Sequence, residues 1–142
     1  MRALLDINVL LALLDEDHID HRRARSWLER EIVLGWASCA VTQNGFVRVM
    51  SQPNYPKSVA PATAMALLRR ATATEHHEFW HSSISLLDST HVVSDRVHGP
   101  RQVTDTYLLA LATERRGRFV TFDSRIAVSA ARRATAQNLL VL

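Results

Sequence analysis

The spacing of apolar residues changes repeatedly along the chain, and the changes predict alternating strands and helices. Ala3 to Leu5 is a short apolar run closed by a carboxylate, the pattern of a buried strand whose C-terminal end presents Asp6. Asn8 to Leu14 predicts a short helix. From His18 to Glu31, Ile19, Ala24, Trp27 and Leu28 stand at helical spacing among Arg22, Arg23, Arg25, Glu29 and Arg30, which predicts an outer helix with a solvated face. A second buried strand is expected near 35–39, then a helix capped by Thr42 and weakened by Gly45 that runs to about Met50. Ser51 to Pro61 holds three of the four prolines and is expected to be loop; Ala62 to Ala71 predicts another helix.

The second half starts less legibly. Glu78 to His81 suits a short strand, Ile84 to Leu87 a turn of helix, and His91 to Val93 either a strand or the tail of that helix. Gly99-Pro100 breaks whatever precedes it. Val103 to Arg116 carries apolar residues at 103, 107, 108, 111 and 112, an amphipathic helix with Gly117 expected as its C-terminal cap. Arg118 to Phe122 then predicts a strand ending at Asp123, residues 124 to 133 a further helix, and Leu139 to Leu142 a last strand. Strands alternating with helices specify an α/β fold with a parallel sheet covered on both faces, whose functional crevice lies at the C-terminal strand ends.

At 142 residues the chain is expected to form a single domain over 1–142, with no linker, repeat or low-complexity tract. A content of 47% hydrophobic and 22% charged residues excludes a disordered or fibrous chain. The net charge is +3, and Lys57 is the only lysine beside 16 arginines, a balance compatible with a nucleic-acid or acidic-protein partner. The sole cysteine, Cys39, excludes an intramolecular disulfide and Cys-rich zinc, which fits a cytoplasmic setting. Residues 1–14 imitate a signal peptide, but Asp6 inside the apolar run and the acidic Asp15-Glu16-Asp17 after it argue that the segment stays and folds. No run approaches the roughly 18 apolar residues of a membrane span.

Two strands are thus expected to end in aspartate, Asp6 and Asp123, and Asp105 lies in the first turn of the helix before the second of them. Carboxylates gathered in a partly buried crevice repel one another unless they share protons or a hard cation neutralises them. Oxygen-only ligands favour Mg²⁺ or Mn²⁺, and metal-assisted phosphodiester hydrolysis is the reaction class implied. Asp123 also suits a cap on the following segment, and Asp105 a first-turn aspartate favoured by the helix dipole. Asp6, set between two apolar runs, is the least explicable by such structural uses.

These residues carry a resemblance. Leu4-Leu5-Asp6-Ile7-Asn8-Val9-Leu10, Thr42-Gln43-Asn44-Gly45-Phe46-Val47-Arg48-Val49, Gln102-Val103-Thr104-Asp105-Thr106-Tyr107-Leu108-Leu109-Ala110 and Val120-Thr121-Phe122-Asp123 resemble the four motifs of PIN-domain ribonucleases, and more narrowly of VapC toxins from type II toxin–antitoxin systems. The resemblance covers nearly the whole chain in the right order. It implies a PIN-like three-layer α/β fold with a four- or five-stranded, mainly parallel sheet and helices on both faces. It further implies an acidic Mg²⁺ or Mn²⁺ site that cuts RNA, a cognate VapB-like antitoxin and a homodimer. The family's aspartates fall on Asp6, Asp105 and Asp123, which makes these the expected metal ligands. Its glutamate falls on Gln43, so that the catalytic set becomes Asp6, Gln43, Asp105 and Asp123. A glutamine amide supplies neither charge nor a base, so lower metal affinity and reduced activity are expected, and Gln43→Glu should raise both. Asn8 and Thr121 resemble polar helpers that orient the acids or waters, although ordinary capping and strand chemistry would also place them there.

Other features are weaker. His18 with His21, and His76-His77 with His81, lack third and fourth ligands at zinc spacing and are read as surface histidines. Trp27, Trp36 and Trp80 are read as core, and the arginine pairs as helix faces able to meet RNA phosphates. Arg48, on the same helix as Gln43, is expected near the crevice, paired with a carboxylate or meeting a phosphate. A phosphoacceptor receiver domain and a P-loop both fail, because the only lysine lies in a proline-rich loop. The remaining rival is a PIN-like module that binds RNA or antitoxin without cutting. The irregular stretch from about 72 to 100 is expected to carry substrate or partner specificity.

Overall fold

The computed structural model describes residues 1–142. Five strands, β1 (Ala3–Leu5), β2 (Trp36–Cys39), β3 (His77–Trp80), β4 (Arg118–Thr121) and β5 (Leu139–Val141), form one sheet of order β3-β2-β1-β4-β5. Every neighbouring pair is parallel. Five α-helices complete the chain: α1 (Ile7–Leu14), α2 (His21–Glu31), α3 (Ala40–Met50), α4 (Pro61–Thr72) and α5 (Gln102–Glu114). The expected α/β fold with a parallel sheet is therefore observed, at the upper of the two strand counts.

β1 and β2 are buried throughout and β4 nearly so, and their two-residue period distributes side chains between two cores. Ala3, Leu5 and Val120 pack with Val9 and Leu10 of α1, Trp27 of α2, Phe46 of α3 and Leu68 of α4. Leu4 and Phe119 point the other way, against Trp80 and the Leu108–Ala112 stretch of α5. All three tryptophans are core residues, as expected. Central β1 is flanked by β2 on one side and β4 on the other. The chain direction across the sheet reverses there, and a crevice opens beyond the carboxyl ends of β1 and β4.

Gly45 is the point where α3 meets α1. A Cβ there would lie 2.1 Å from Cδ1 of Ile7, the residue that follows Asp6, so the glycine expected to weaken α3 lets it pack closely instead.

Several boundaries differ from the sequence expectation. The helix expected from His18 begins at His21, because the Asp20 N–H donates to His18 Nδ1 at 3.1 Å and holds a turn; Ile19 is 94% exposed rather than on the apolar face. Thr42 does not cap α3. Cys39 does, and the Thr42 hydroxyl accepts its N–H at 2.9 Å. Gly117 is not the left-handed residue after α5: Arg116 takes φ 56°. The Arg116 N–H bonds to Thr113 O at 3.0 Å and the Gly117 N–H to Ala112 O at 2.8 Å, a Schellman motif one residue earlier than expected.

Residues 84–87 form a turn, not helix, with the Ser85 hydroxyl accepting the Leu87 N–H at 3.1 Å. The helix expected over 124–133 is absent apart from a 3₁₀ turn at Val128–Ala130. Its backbone is used elsewhere: Val92 and Ala131 form an antiparallel bridge, and Ala130 O accepts the Val93 N–H at 2.9 Å. Of 91–93, His91 is therefore turn, Val92 the bridge residue and Val93 extended.

Candidate active site

β1 delivers Asp6 to the crevice as the N-cap of α1. Its Oδ1 accepts the Ile7 N–H at 2.7 Å, and its backbone N–H donates to Val120 O at 3.0 Å, which extends the β1–β4 ladder. The side chain is buried, and its Oδ2 accepts the Thr121 hydroxyl at 2.6 Å. Burial pushes the Asp6 carboxyl up, assisted by the charge of Asp123; the hydrogen bonds from Thr121, Ile7 and Asn8 oppose this without overcoming it. Asn8 Oδ1 is buried and has no hydrogen-bond partner.

Thr121 closes β4 and is itself buried. The oxygen that donates to Asp6 also accepts the Asp123 N–H at 3.1 Å, so one hydroxyl fixes both strand-end aspartates. Asp123 then binds Arg125. Oδ1 accepts its backbone N–H at 2.8 Å and its Nε at 3.0 Å, while Oδ2 accepts an Nη at 2.8 Å. This fork holds the Asp123 carboxyl down at about 2. Asp105, half-buried in the first turn of α5, is driven the other way, to about 6, by burial and then by the charges of Asp6 and Asp123, with Arg125 opposing.

Asp105, Asp123 and Arg125 line a cavity of about 300 Å³ together with His98, Arg101 and Gln102. The structure thus brings Asp6, Asp105, Asp123 and the two helpers Asn8 and Thr121 to one place. Gln43 and Arg48 line a groove between α3 and α4, with Met65 and Arg69. Gln43 Nε2 donates to Ser38 Oγ at 3.0 Å, and that oxygen lies 2.8 Å from His77 Nε2. Arg48 forms no ion pair with a carboxylate, the first of the two roles expected for it. His77 is also not a free surface histidine, since burial lowers its pKa and Ser38 holds its ring.

No group of three or more His, Cys, Asp or Glu side chains stands ready to hold one ion, for the histidines or for the aspartates. The donors of the crevice nonetheless suit a hard cation. They are all oxygens, Asp105 is held up by burial and then by the charges of Asp6 and Asp123, and Asn8 Oδ1 is a buried acceptor with nothing to accept. Magnesium in particular needs only one or two protein carboxylates beside water and phosphate.

Arg125 was not anticipated from the sequence, because a helical reading of 124–133 places it on an ordinary solvated face. The signal was Asp123-Ser124-Arg125 itself, an aspartate able to capture the N–H two residues on.

Residues 3–131 match the family model described as PIN domain. Over 142 residues, all of both chains, the sequence is 61% identical to "Ribonuclease VapC44" of Mycobacterium tuberculosis. It is 40% identical over 131 residues to "Ribonuclease VapC39" of the same organism, covering 92% of this chain and 94% of that one. Two solved structures share the fold. VapBC2 from Rickettsia felis, bound to a DNA fragment from its promoter, aligns with a TM-score of 0.65 at 12% identity, covering 100% of this chain and 99% of that one. VapC20 of Mycobacterium tuberculosis, a sarcin-ricin loop cleaving toxin, aligns with a TM-score of 0.63 at 12% identity, covering 93% and 98%. With its strand order, its strand-end aspartates and identity running the full length of a VapC relative, the chain belongs to the PIN-domain family and, within it, to the VapC ribonucleases.

Proposed function

We propose that this chain is the toxin of a VapBC-type toxin–antitoxin pair, an endoribonuclease that hydrolyses RNA phosphodiester bonds at the crevice beyond β1 and β4. The observation that carries this reading is the Thr121 hydroxyl, which locks Asp6 and Asp123 together beside a cavity also lined by Asp105. Two of these three carboxylates are raised in pKa, and the three fall where the family carries its aspartates.

In this reading Asp6, Asp105 and Asp123 hold Mg²⁺ or Mn²⁺, with Asn8 Oδ1 as a further oxygen. A divalent cation bound there supplies charge neutralisation and Lewis acidity toward water and phosphate. The protein's part is positional. Thr121 and the Ile7 N–H aim the two Asp6 oxygens, and the Thr121–Asp123 contact sets the second carboxylate relative to the first. Asp105, on a different element, faces the same cavity and orients the attacking water by accepting its hydrogen bond.

The partners proposed are RNA, a VapB-like antitoxin and a second copy of the chain, in the cytoplasm. No helix is long and apolar enough to cross a membrane. Residues 1–142 are taken as one PIN-like domain.

Expression of the chain without an antitoxin tests the toxin reading. Growth arrest accompanied by fragmented RNA, both absent with Asp105→Asn, supports it. Arrest that persists in Asp105→Asn without fragmentation supports instead a module that acts by binding, the reading that Gln43 in place of a glutamate favours.

A further inference from the structure

Arg125 takes up both oxygens of Asp123 with its guanidinium and clamps Oδ1 with its own backbone N–H. The two halves of this pair differ in setting: the Arg125 side chain is 70% exposed, that of Asp123 25%. A solvent-facing ion pair of this kind is weakly held and exchangeable. It also occupies the oxygens that a cation on Asp123 would need. The guanidinium fork that fits a carboxylate fits a phosphate equally well.

Both residues line the cavity that contains Asp105, so a guanidinium leaving Asp123 remains at the cavity's edge, tethered two residues away. Arg101, on the opposite loop of the same cavity, is exposed and makes no ion pair, which leaves that rim positively charged. We infer that Arg125 is a phosphate-binding residue of the substrate site, parked on Asp123 when no RNA is present and transferred to the backbone phosphate when the acidic cluster takes up its cation. The inference rests on the ribonuclease reading above. In it, Arg125 opposes cation binding in the free protein and supports RNA binding in the loaded one.

These opposite signs make the test specific. Purified, antitoxin-free wild type, Arg125→Ala and Arg125→Lys are compared by calorimetric titration with Mn²⁺ alone, and then by steady-state cleavage of a single-stranded RNA at saturating Mn²⁺. Circular dichroism verifies that the variants fold, as the exposure of Arg125 leads one to expect. Arg125→Ala is expected to bind Mn²⁺ severalfold more tightly without RNA, yet to show a KM for RNA raised about tenfold with a smaller change in kcat. Its kcat/KM should also fall less steeply with salt, by about 0.7 in the logarithmic slope, one phosphate contact having been lost. Arg125→Lys should lie between, having kept the charge and lost the fork. Unchanged Mn²⁺ affinity in Arg125→Ala, or unchanged KM and salt slope, overturns the inference while leaving the ribonuclease reading intact. A wild type that cuts no RNA overturns both.

Discussion

Thr121 and Asp6, 115 residues apart in sequence, are joined by a buried hydrogen bond of 2.6 Å from the Thr121 hydroxyl to Asp6 Oδ2. The same oxygen accepts the Asp123 N–H, so the hydroxyl's single donor is committed to Asp6 and both of its partners are functional candidates. Thr121→Val keeps the shape and removes the donor. It leaves a buried carboxylate oxygen unpaired and is expected to lower stability by about 1–3 kcal/mol, measured by urea unfolding at neutral pH. Because that hydrogen bond lowers the Asp6 pKa, the variant should also need more Mn²⁺ for half-maximal cleavage. Thr121→Ser should retain both properties. A valine variant as stable and as active as wild type would show that the hydroxyl does not organise the site.

Asp105 gives a pH dependence of definite sign. Its folded pKa, about 6, lies above the unfolded value of 3.8, so between these values the folded state binds more protons than the unfolded one. In metal-free protein this group's contribution to stability should therefore decline as pH rises from 4 to 6, and the loss should be complete above 6. Asp105→Asn removes the loss. Discounted for its partial exposure, the gain at pH 7 is about 1–2 kcal/mol, seen as a higher Tm in EDTA, while cleavage is abolished. A less stable asparagine variant at pH 7 would contradict the account.

Gln43 tests how the second motif reaches the chemistry. It donates to Ser38, which in turn meets His77, and it lines the α3–α4 groove instead of the Asp105 cavity. In Gln43→Glu the Ser38 hydroxyl turns to donate to the new carboxylate, leaving His77 Nε2 to act as the donor. If position 43 contributes charge to the cation site, Mn²⁺ affinity should rise about tenfold and the His77 ring signals should shift in the same variant. A shift at His77 with unchanged Mn²⁺ affinity would confine residue 43 to the groove.

What was legible in the sequence were the features encoded by neighbours in the chain. An apolar triplet followed by an acid identified β1 and Asp6, and the spacing of Val103, Tyr107, Leu108, Leu111 and Ala112 identified α5. Position singled out Asp6 most strongly; the strand ends and the first turn of α5 already grouped Asp123 and Asp105 with it, and the four-motif resemblance arrived at the same three aspartates. The misreadings share one cause, local propensity overridden by a specific partner. Residues 124–133 have helical composition, but Asp123 captures the Arg125 N–H and Val92 pairs with Ala131. Ile19 fits the helical spacing of its segment, yet the His18 ring turns the chain before α2 begins. Arg48 shares a helix with Gln43, and nothing in that spacing reveals that the helix turns both toward α4.

The most direct measurement is cleavage of total cellular RNA by the purified, antitoxin-free protein in Mg²⁺, in Mn²⁺ and in EDTA, alongside Asp6→Asn. The asparagine keeps an acceptor for the Ile7 N–H and removes the charge. The account predicts cutting with a divalent cation, none in EDTA, and a loss of about a hundredfold or more in a variant that remains folded. Cutting that survives EDTA or Asp6→Asn, or a folded wild type that cuts with neither metal, would contradict it.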